Sequence, residues 1–239
     1  MSEQTHQKKP VTVVIPALDE EKNITNTYLK VKSALENLGL DYEIILFNDG
    51  SRDKTGEIIE SIRLQNSQVK TVHHKTPKGM GFAYKTGIEM SQKTYFLLMP
   101  GDDDFEEYLI RRLLESAGKA DIIIPFFNNF QSRPWHRKIF SAFFTRSLNF
   151  LFNLDLTYYN GPVLHLTKNL KALKITSNKF TYQAEILLKL IKLKKCTYDE
   201  IGLATNERIE GKSKAVRLAN FIDVGSFMVK MLFEIYCRK

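Results

Sequence analysis

Short, almost wholly apolar runs alternate along the first half of the chain with segments whose apolar residues recur at helical spacing. Val11-Thr12-Val13-Val14-Ile15, closed by Pro16, reads as a buried parallel strand. Over 20–38 the apolar positions Ile24, Tyr28, Val31, Leu35 and Leu38 mark a helix, which Gly39 stops. The same reading gives strands at Glu43–Phe47, Val69–Val72, Tyr95–Met99 and Ile122–Ile124. It gives helices around 53–65, 80–91 and 105–117, with Pro100-Gly101 halting the fourth strand. This alternation predicts an α/β domain with a mainly parallel central sheet flanked by helices. Right-handed crossovers put the strand C-terminal ends on one edge, where such sheets bind ligands.

The distinctive polar residues fall at those ends. Asp19-Glu20 follow the first strand, Asn48-Asp49-Gly50-Ser51 the second, and Asp102-Asp103-Asp104 the fourth. Any one of them alone is as well read as a helix cap or a solvated loop. Three acidic clusters on one rim repel one another unless a cation or the donors of a ligand meet them.

The second half is greasier. Eight of the sixteen phenylalanines lie between 126 and 152. Over Ile139–Leu154 the polar residues Ser141, Thr145, Asn149 and Asn153 form a narrow stripe on an apolar helix. The tail, Arg217–Lys239, repeats the pattern. Leu218, Phe221, Ile222, Phe227, Met228, Met231, Leu232 and Ile235 stand against Asn220, Asp223, Lys230 and Glu234. Such amphipathic helices pack on the sheet, on a second subunit, or in a membrane surface.

Composition narrows the classes. With 43% apolar and 26% charged residues among 239, the chain fits a packed core and excludes a disordered or collagen-like one. A formal charge of +8 favours anionic partners. No run of about 18 uncharged apolar residues predicts a spanning helix, and the opening residues lack the apolar stretch of a secretory signal. Two cysteines, Cys196 and Cys237, make no disulfide framework, which fits a reducing, cytoplasmic compartment. The five histidines lack metal-ligand spacing. The aromatic and basic residues of 126–146 carry no nucleic-acid motif, so no nucleic-acid partner is expected.

At this point the chain resembles the family 2 glycosyltransferases. Pro16-Ala17-Leu18-Asp19-Glu20-Glu21-Lys22-Asn23-Ile24 resembles their opening P-x-x-N/D-E-x-x-N-I. Asn48-Asp49-Gly50-Ser51-Arg52-Asp53-Lys54-Thr55 is similar to D-D-G-S-x-D-x-T, and Gly79-Met80-Gly81-Phe82-Ala83 with Gly87 to G-x-G-x-A-x-x-x-G. Arg208-Ile209-Glu210-Gly211-Lys212-Ser213-Lys214 resembles the R-x-x-G-x-S-K of the dolichyl- and polyprenyl-phosphate sugar synthases. The resemblance implies a GT-A fold over 1–215, with a nucleotide-binding half at about 10–125 and an acceptor half at about 126–215. An amphipathic helix at 216–239 would follow.

The implied activity is inverting transfer of a sugar from a nucleotide sugar to a polyprenyl phosphate. It would take place at the cytoplasmic face of a membrane, as in cell-envelope glycan synthesis. A homo-oligomer is left open. Pro16, Ala17, Asp19, Glu20, Asp49, Gly79 and Gly81 would border the nucleotide. Asp102, with Asp104, would hold Mg²⁺ or Mn²⁺ against the diphosphate. Arg137 and Ser141, four residues apart, and Arg208, Ser213 and Lys214 would meet phosphate.

The departures from the family pattern are specific. Pro100 replaces the first carboxylate of D-x-D, and Asn48 the first of D-D-G-S. Phe126-Phe127-Asn128-Asn129 stands where an Arg is common, and Thr157-Tyr158-Tyr159-Asn160-Gly161 lacks the usual Asp. A lipid phosphate is already ionised near neutral pH and needs no catalytic base, whereas a hydroxyl acceptor needs a carboxylate. Glu185 and Glu200 are the candidates for that role. A non-catalytic nucleotide-sugar-binding protein is the remaining reading, prompted by Pro100.

Overall fold

The computed structural model describes residues 9–127, 135–177, 181–203 and 219–237. Its strands are β1 (Val11–Ala17), β2 (Tyr42–Asn48), β3 (Val69–His73), β4 (Tyr95–Leu98), β5 (Ile122–Phe127), β6 (Leu164–Leu166) and β7 (Tyr198–Leu203). Its helices are α1 (Ile24–Asn37), α2 (Thr55–Gln65), α3 (Met80–Met90), α4 (Glu107–Glu115) and α5 (Trp135–Phe152). They continue with α6 (Thr167–Lys171), α7 (Tyr182–Leu188) and α8 (Ala219–Leu232). π-Helical turns extend α7 over Lys189–Leu193 and α8 over Phe233–Cys237.

The seven strands form one sheet in the order β3-β2-β1-β4-β6-β5-β7. Every pairing is parallel except the two made by β6. The mainly parallel sheet expected from the alternation is therefore present. The connections β1-α1-β2 and β2-α2-β3 run one way from β1. The next, through α3, returns past β1 to β4. The order thus reverses between β1 and β4, and a crevice opens there beyond the strand C-termini.

Successive strand residues face opposite sides, and the core divides accordingly. Val11, Val13, Ile15, Ile44, Leu46 and Leu97 pack with α1 and α4 residues such as Val31, Leu35, Ile110 and Leu113. Val14, Ile45, Phe47, Phe96 and Leu98 pack on the other face with α3, α5, α7 and α8. All seven residues of β1 are buried. This explains why its sequence is a continuous apolar run rather than an alternating one.

The second half differs from its sequence pattern in detail. β6, α6, α7 and β7 were not expected. β6 is three residues long, and β7 is a half-exposed edge strand whose polar residues mask the alternation. α5 begins at Trp135, before the apolar run, and stops at Phe152. Asn153 (φ 47°) takes the left-handed position after that helix, and Leu154 N–H reaches back to Asn149 O at 3.0 Å, a Schellman close.

Candidate active site

The register aligns Ala17 at the end of β1 with Asn48 at the end of β2, and Val14 with Leu98 at the end of β4. The loops carrying Asp19-Glu20, Asp49 and Asp102 therefore leave from one edge. Two of these loops are stitched together. Asp19 holds φ 57°, a left-handed backbone that Asp tolerates by bonding locally. Its N–H donates to Ser51 Oγ at 3.0 Å, and its Oδ1 accepts from Arg52 N–H at 2.8 Å. Glu20 N–H donates to Thr55 Oγ1 at 2.9 Å, and Asp53 accepts from Glu21 N–H at 3.1 Å. The motif residues Ser51, Asp53 and Thr55 thus hold the β1–α1 loop in shape.

Asp49 organises the third loop. Its buried carboxylate accepts from Lys78 N–H at 2.9 Å and Gly79 N–H at 2.8 Å. His74 Nδ1 lies 2.8 Å from the same carboxylate, its ring edge-on to Phe47 and Phe82. Gly79 sits at φ 90° ahead of α3, and Gly81 is buried in that helix's first turn. Gly50 takes φ 79°, and a Cβ there would stand 2.7 Å from Thr76 C. The glycine is required by both conformation and close approach.

The Asn48 substitution has a physical reason. Its Oδ1 accepts from Ser51 N–H at 2.9 Å while its amide faces His73 Nδ1 at 3.2 Å. The other ring nitrogen meets Glu60 at 2.9 Å. An amide can donate to a His acceptor, and an ionised carboxylate cannot.

Asp102 stands apart from its acidic neighbours. Gly101 N–H bonds Pro16 O at 3.0 Å, and a Cβ at Gly101 would press on Pro16 O, Ala17 and Ile24. That close approach seats Asp102 beside the β1 loop. The Asp102 carboxyl is raised by burial, with the Asp103 charge adding, although N–H groups of the turn oppose the shift. Its Oδ1 is buried without a hydrogen-bond partner. The Glu20 carboxyl is also raised, first by burial and then by the charges of Asp102, Asp53 and Asp19, while Asn23 opposes. Asp103 (φ 61°) turns away to Lys30 on α1 at 3.2 Å, and its N–H donates to Thr27 Oγ1 at 3.0 Å. Asp104 lies in the same turn, and its N–H meets the Asp102 carboxylate. Among the described residues no group of three or more His, Cys, Asp or Glu is gathered as a metal cage. The unpartnered Asp102 Oδ1, with the Asp102 and Glu20 carboxyls both raised, does suit a cation that keeps most of its waters.

The structure thus brings Pro16, Ala17, Asp19, Glu20, Asp49, Gly79, Gly81 and Asp102 to one edge of the sheet. Ser141 is half-buried on α5. The Arg137 side chain, and Arg208, Ser213 and Lys214 entirely, lie outside the described residues. His74 and Thr27 were missed by sequence reading, because isolated polar residues at strand and helix ends carry no pattern.

The two candidate bases are otherwise engaged. Glu185 is 1% exposed. It accepts from Thr176 N–H (3.0 Å), Thr176 Oγ1 (2.8 Å) and Ser177 N–H (2.7 Å), and pairs with Lys189 at 2.7 Å. Burial pushes its carboxyl up, but Lys189 and those donors outweigh it and leave it below the ordinary value. The geometry is that of a buried ion pair. Glu200 accepts from Thr157 N–H at 2.8 Å and pins the loop after α5. Burial raises its carboxyl.

A mainly parallel α/β sheet with acidic residues gathered at its switch point is the arrangement of a nucleotide-binding α/β fold. The family model for glycosyl transferase family 2 matches residues 12–171, more than half of the chain. The chain belongs to that family and carries its glycosyltransferase domain. It is 28% identical over 122 residues to the glycosyltransferase GlyG of Streptococcus pneumoniae, covering 50% of this chain and 40% of that protein. It is 34% identical over 107 residues to a dolichyl-phosphate beta-glucosyltransferase of Trichomonas vaginalis, covering 40% of this chain and 32% of that protein. The chain therefore spans less than half the length of these curated relatives. Among solved structures, the glucosyl-3-phosphoglycerate synthase of Mycobacterium tuberculosis with Mn²⁺, UDP and phosphoglyceric acid superposes with a TM-score of 0.64. It is 16% identical and covers 95% of this chain and 78% of that one. Staphylococcus aureus TarS with UDP-GlcNAc gives a TM-score of 0.64 at 15% identity, covering 95% and 67%. These establish the shared fold.

Proposed function

We propose that this chain moves a sugar, with inversion, from a nucleotide-sugar donor to a polyprenyl phosphate at the cytoplasmic face of a membrane. The observation that carries the reading is the buried, unpartnered Oδ1 of Asp102 at the β1/β4 crevice, where the Asp102 and Glu20 carboxyls are both raised. Asp102, with Asp104 in the same turn, would hold Mg²⁺ or Mn²⁺, whose contribution is to offset charge on the leaving diphosphate. The β1–α1 loop with Asp19 and Glu20, and the Gly79 loop held by Asp49, would border the nucleotide. The solved relatives with UDP and UDP-GlcNAc make uridine diphosphate sugars the first donors to test.

The acceptor reading rests on the two candidate bases among the described residues. A hydroxyl acceptor needs a base, Glu185 is held in its ion pair, and Glu200 accepts from Thr157. An ionised phosphate supplies its own nucleophilic oxygen. The R-x-x-G-x-S-K segment with Arg208, Ser213 and Lys214, and Arg137 with Ser141, would receive that phosphate. The dolichyl-phosphate relative is consistent with this.

The test incubates radiolabelled UDP-sugars with Mn²⁺ and either a polyprenyl phosphate or a glycan acceptor. Label entering the organic phase with the lipid phosphate is expected. Transfer to the glycan alone would overturn the acceptor. No transfer with any donor, with Asp102→Ala binding nucleotide sugars as the wild type does, would point to a non-catalytic protein.

A further inference from the structure

α5 and α8 each carry two apolar faces, one buried and one exposed. On α5, Phe144, Leu148 and Phe152 recur every fourth residue and are buried. The opposite face is apolar too. Ile139, Phe143 and Phe150 share it, with Phe150 88% exposed. Within the polar stripe Asn153 is exposed, whereas Asn149 turns toward the protein. Asn149 bonds Leu156 through both its carbonyl and its amide, and accepts from Tyr159 OH at 2.9 Å.

The C-terminal helix repeats this arrangement. Val224, Phe227 and Met231 are buried, while Val229, Phe233 and Tyr236 are exposed on the opposite face. Two of its charges bond to neighbouring elements. Lys230 Nζ donates to Thr176 Oγ1, and Glu234 pairs with buried Lys189 at 2.9 Å. The two helices pack on each other, and their ends are joined where the Tyr236 ring stacks on Phe152. Tyr236 OH also reaches Leu151 O at 3.4 Å.

Asn149, Lys230 and Glu234 are therefore bonded to neighbouring elements, and one apolar stripe on each helix is left outward. The rim of this face is basic. Arg146 is exposed within the α5 stripe. Lys192 Nζ reaches Asn153 O at the end of α5, with Lys194 and Lys195 exposed on the same turn. Asp155 is the exposed acid nearby.

We propose that the joint face of α5 and α8 docks on the surface of an anionic lipid bilayer. Ile139, Phe143, Phe150, Val229 and Phe233 enter the acyl boundary, and the lysines meet the head groups. Charge selects this occupant over a second copy of the chain, because a two-fold pairing would bring two basic rims together. The proposal rests on the lipid-acceptor reading for its purpose, and the experiment separates the two.

The 239-residue chain is sedimented with phosphatidylcholine vesicles, with and without phosphatidylglycerol, at low and high salt. Wild type is expected to pellet with the anionic vesicles at low salt and to be released by high salt. F150S/F233S, two exposed positions, should weaken binding at least tenfold, and K194A/K195A about thirtyfold. Wild type that stays in the supernatant at low salt, or F150S/F233S that binds unchanged, overturns the proposal. So does a wild-type dimer in light scattering that F150S/F233S converts to monomer. Transfer to a short, water-soluble prenyl phosphate is measured in parallel. Its absence with vesicle binding intact removes the acceptor reading alone, and its presence without vesicle binding removes the docking face alone.

Discussion

Replacing Asp102 with Asn should stabilise the metal-free protein and abolish its response to cation and nucleotide. The buried Oδ1 has no partner, and a buried polar group left unpaired costs about 1–3 kcal/mol. The amide keeps a polar atom there but removes the charge, so about 1 kcal/mol is recovered. For a domain of this size that raises Tm by about 2–4 °C in EDTA. The pH dependence has a definite sign. The folded state holds the Asp102 proton above its ordinary value of 3.8, so folded chains bind more protons than unfolded ones in that window. Stability of the metal-free wild type therefore falls as pH rises from 3.8 through the folded value, and Asp102→Asn loses this component. With Mn²⁺ and a nucleotide sugar at about a hundredfold excess over Kd, wild type gains about 2.7 kcal/mol, and the variant gains almost none. Differential scanning fluorimetry from pH 4 to 8 (with EDTA, then Mn²⁺ and donor) reads all of this. A variant less stable than wild type in EDTA, yet still stabilised by Mn²⁺ and donor, would refute the reasoning.

Three other outcomes are expected. Lys189→Met leaves Glu185 buried and uncompensated, and should cost about 3–5 kcal/mol in urea unfolding. Because the Glu185 carboxyl lies below its ordinary 4.5, its contribution is present above that pH and lost as pH falls through the folded value, so Lys189→Met should also flatten acid unfolding. Gly50→Ala forces a Cβ into a left-handed position against Thr76 and should cost at least about 1–3 kcal/mol in the same assay. Asp49→Asn removes a charged acceptor shared by Lys78 N–H, Gly79 N–H and His74, and should weaken nucleotide-sugar binding about tenfold by calorimetry, with Tm changed far less than binding.

The sequence by itself determined the first half of this protein. A strand buried on both faces must be apolar throughout, and a helix on a sheet must repeat its apolar residues every third or fourth position. Val11–Ala17 and Ile24–Asn37 are therefore legible as written. The acidic residues at strand ends were legible for the same reason, since polar residues that interrupt apolar strands mark an edge. Which acid does what was decided by the tertiary structure. Asp102 and Asp103 are adjacent, yet one oxygen of Asp102 is orphaned at the crevice while Asp103 is spent on Lys30 of α1, 73 residues earlier. Glu185 read as a free acid until Lys189, Thr176 and Ser177 closed around it. The polar stripes of α5 and α8 gave the right amphipathicity and no direction. A helical wheel fixes which residues share a face, and only the packing of that helix fixes which face meets protein. Here one apolar face of each helix packs inward, Asn149, Lys230 and Glu234 bond to Leu156, Tyr159, Thr176 and Lys189 beside it, and a second apolar stripe is left outside.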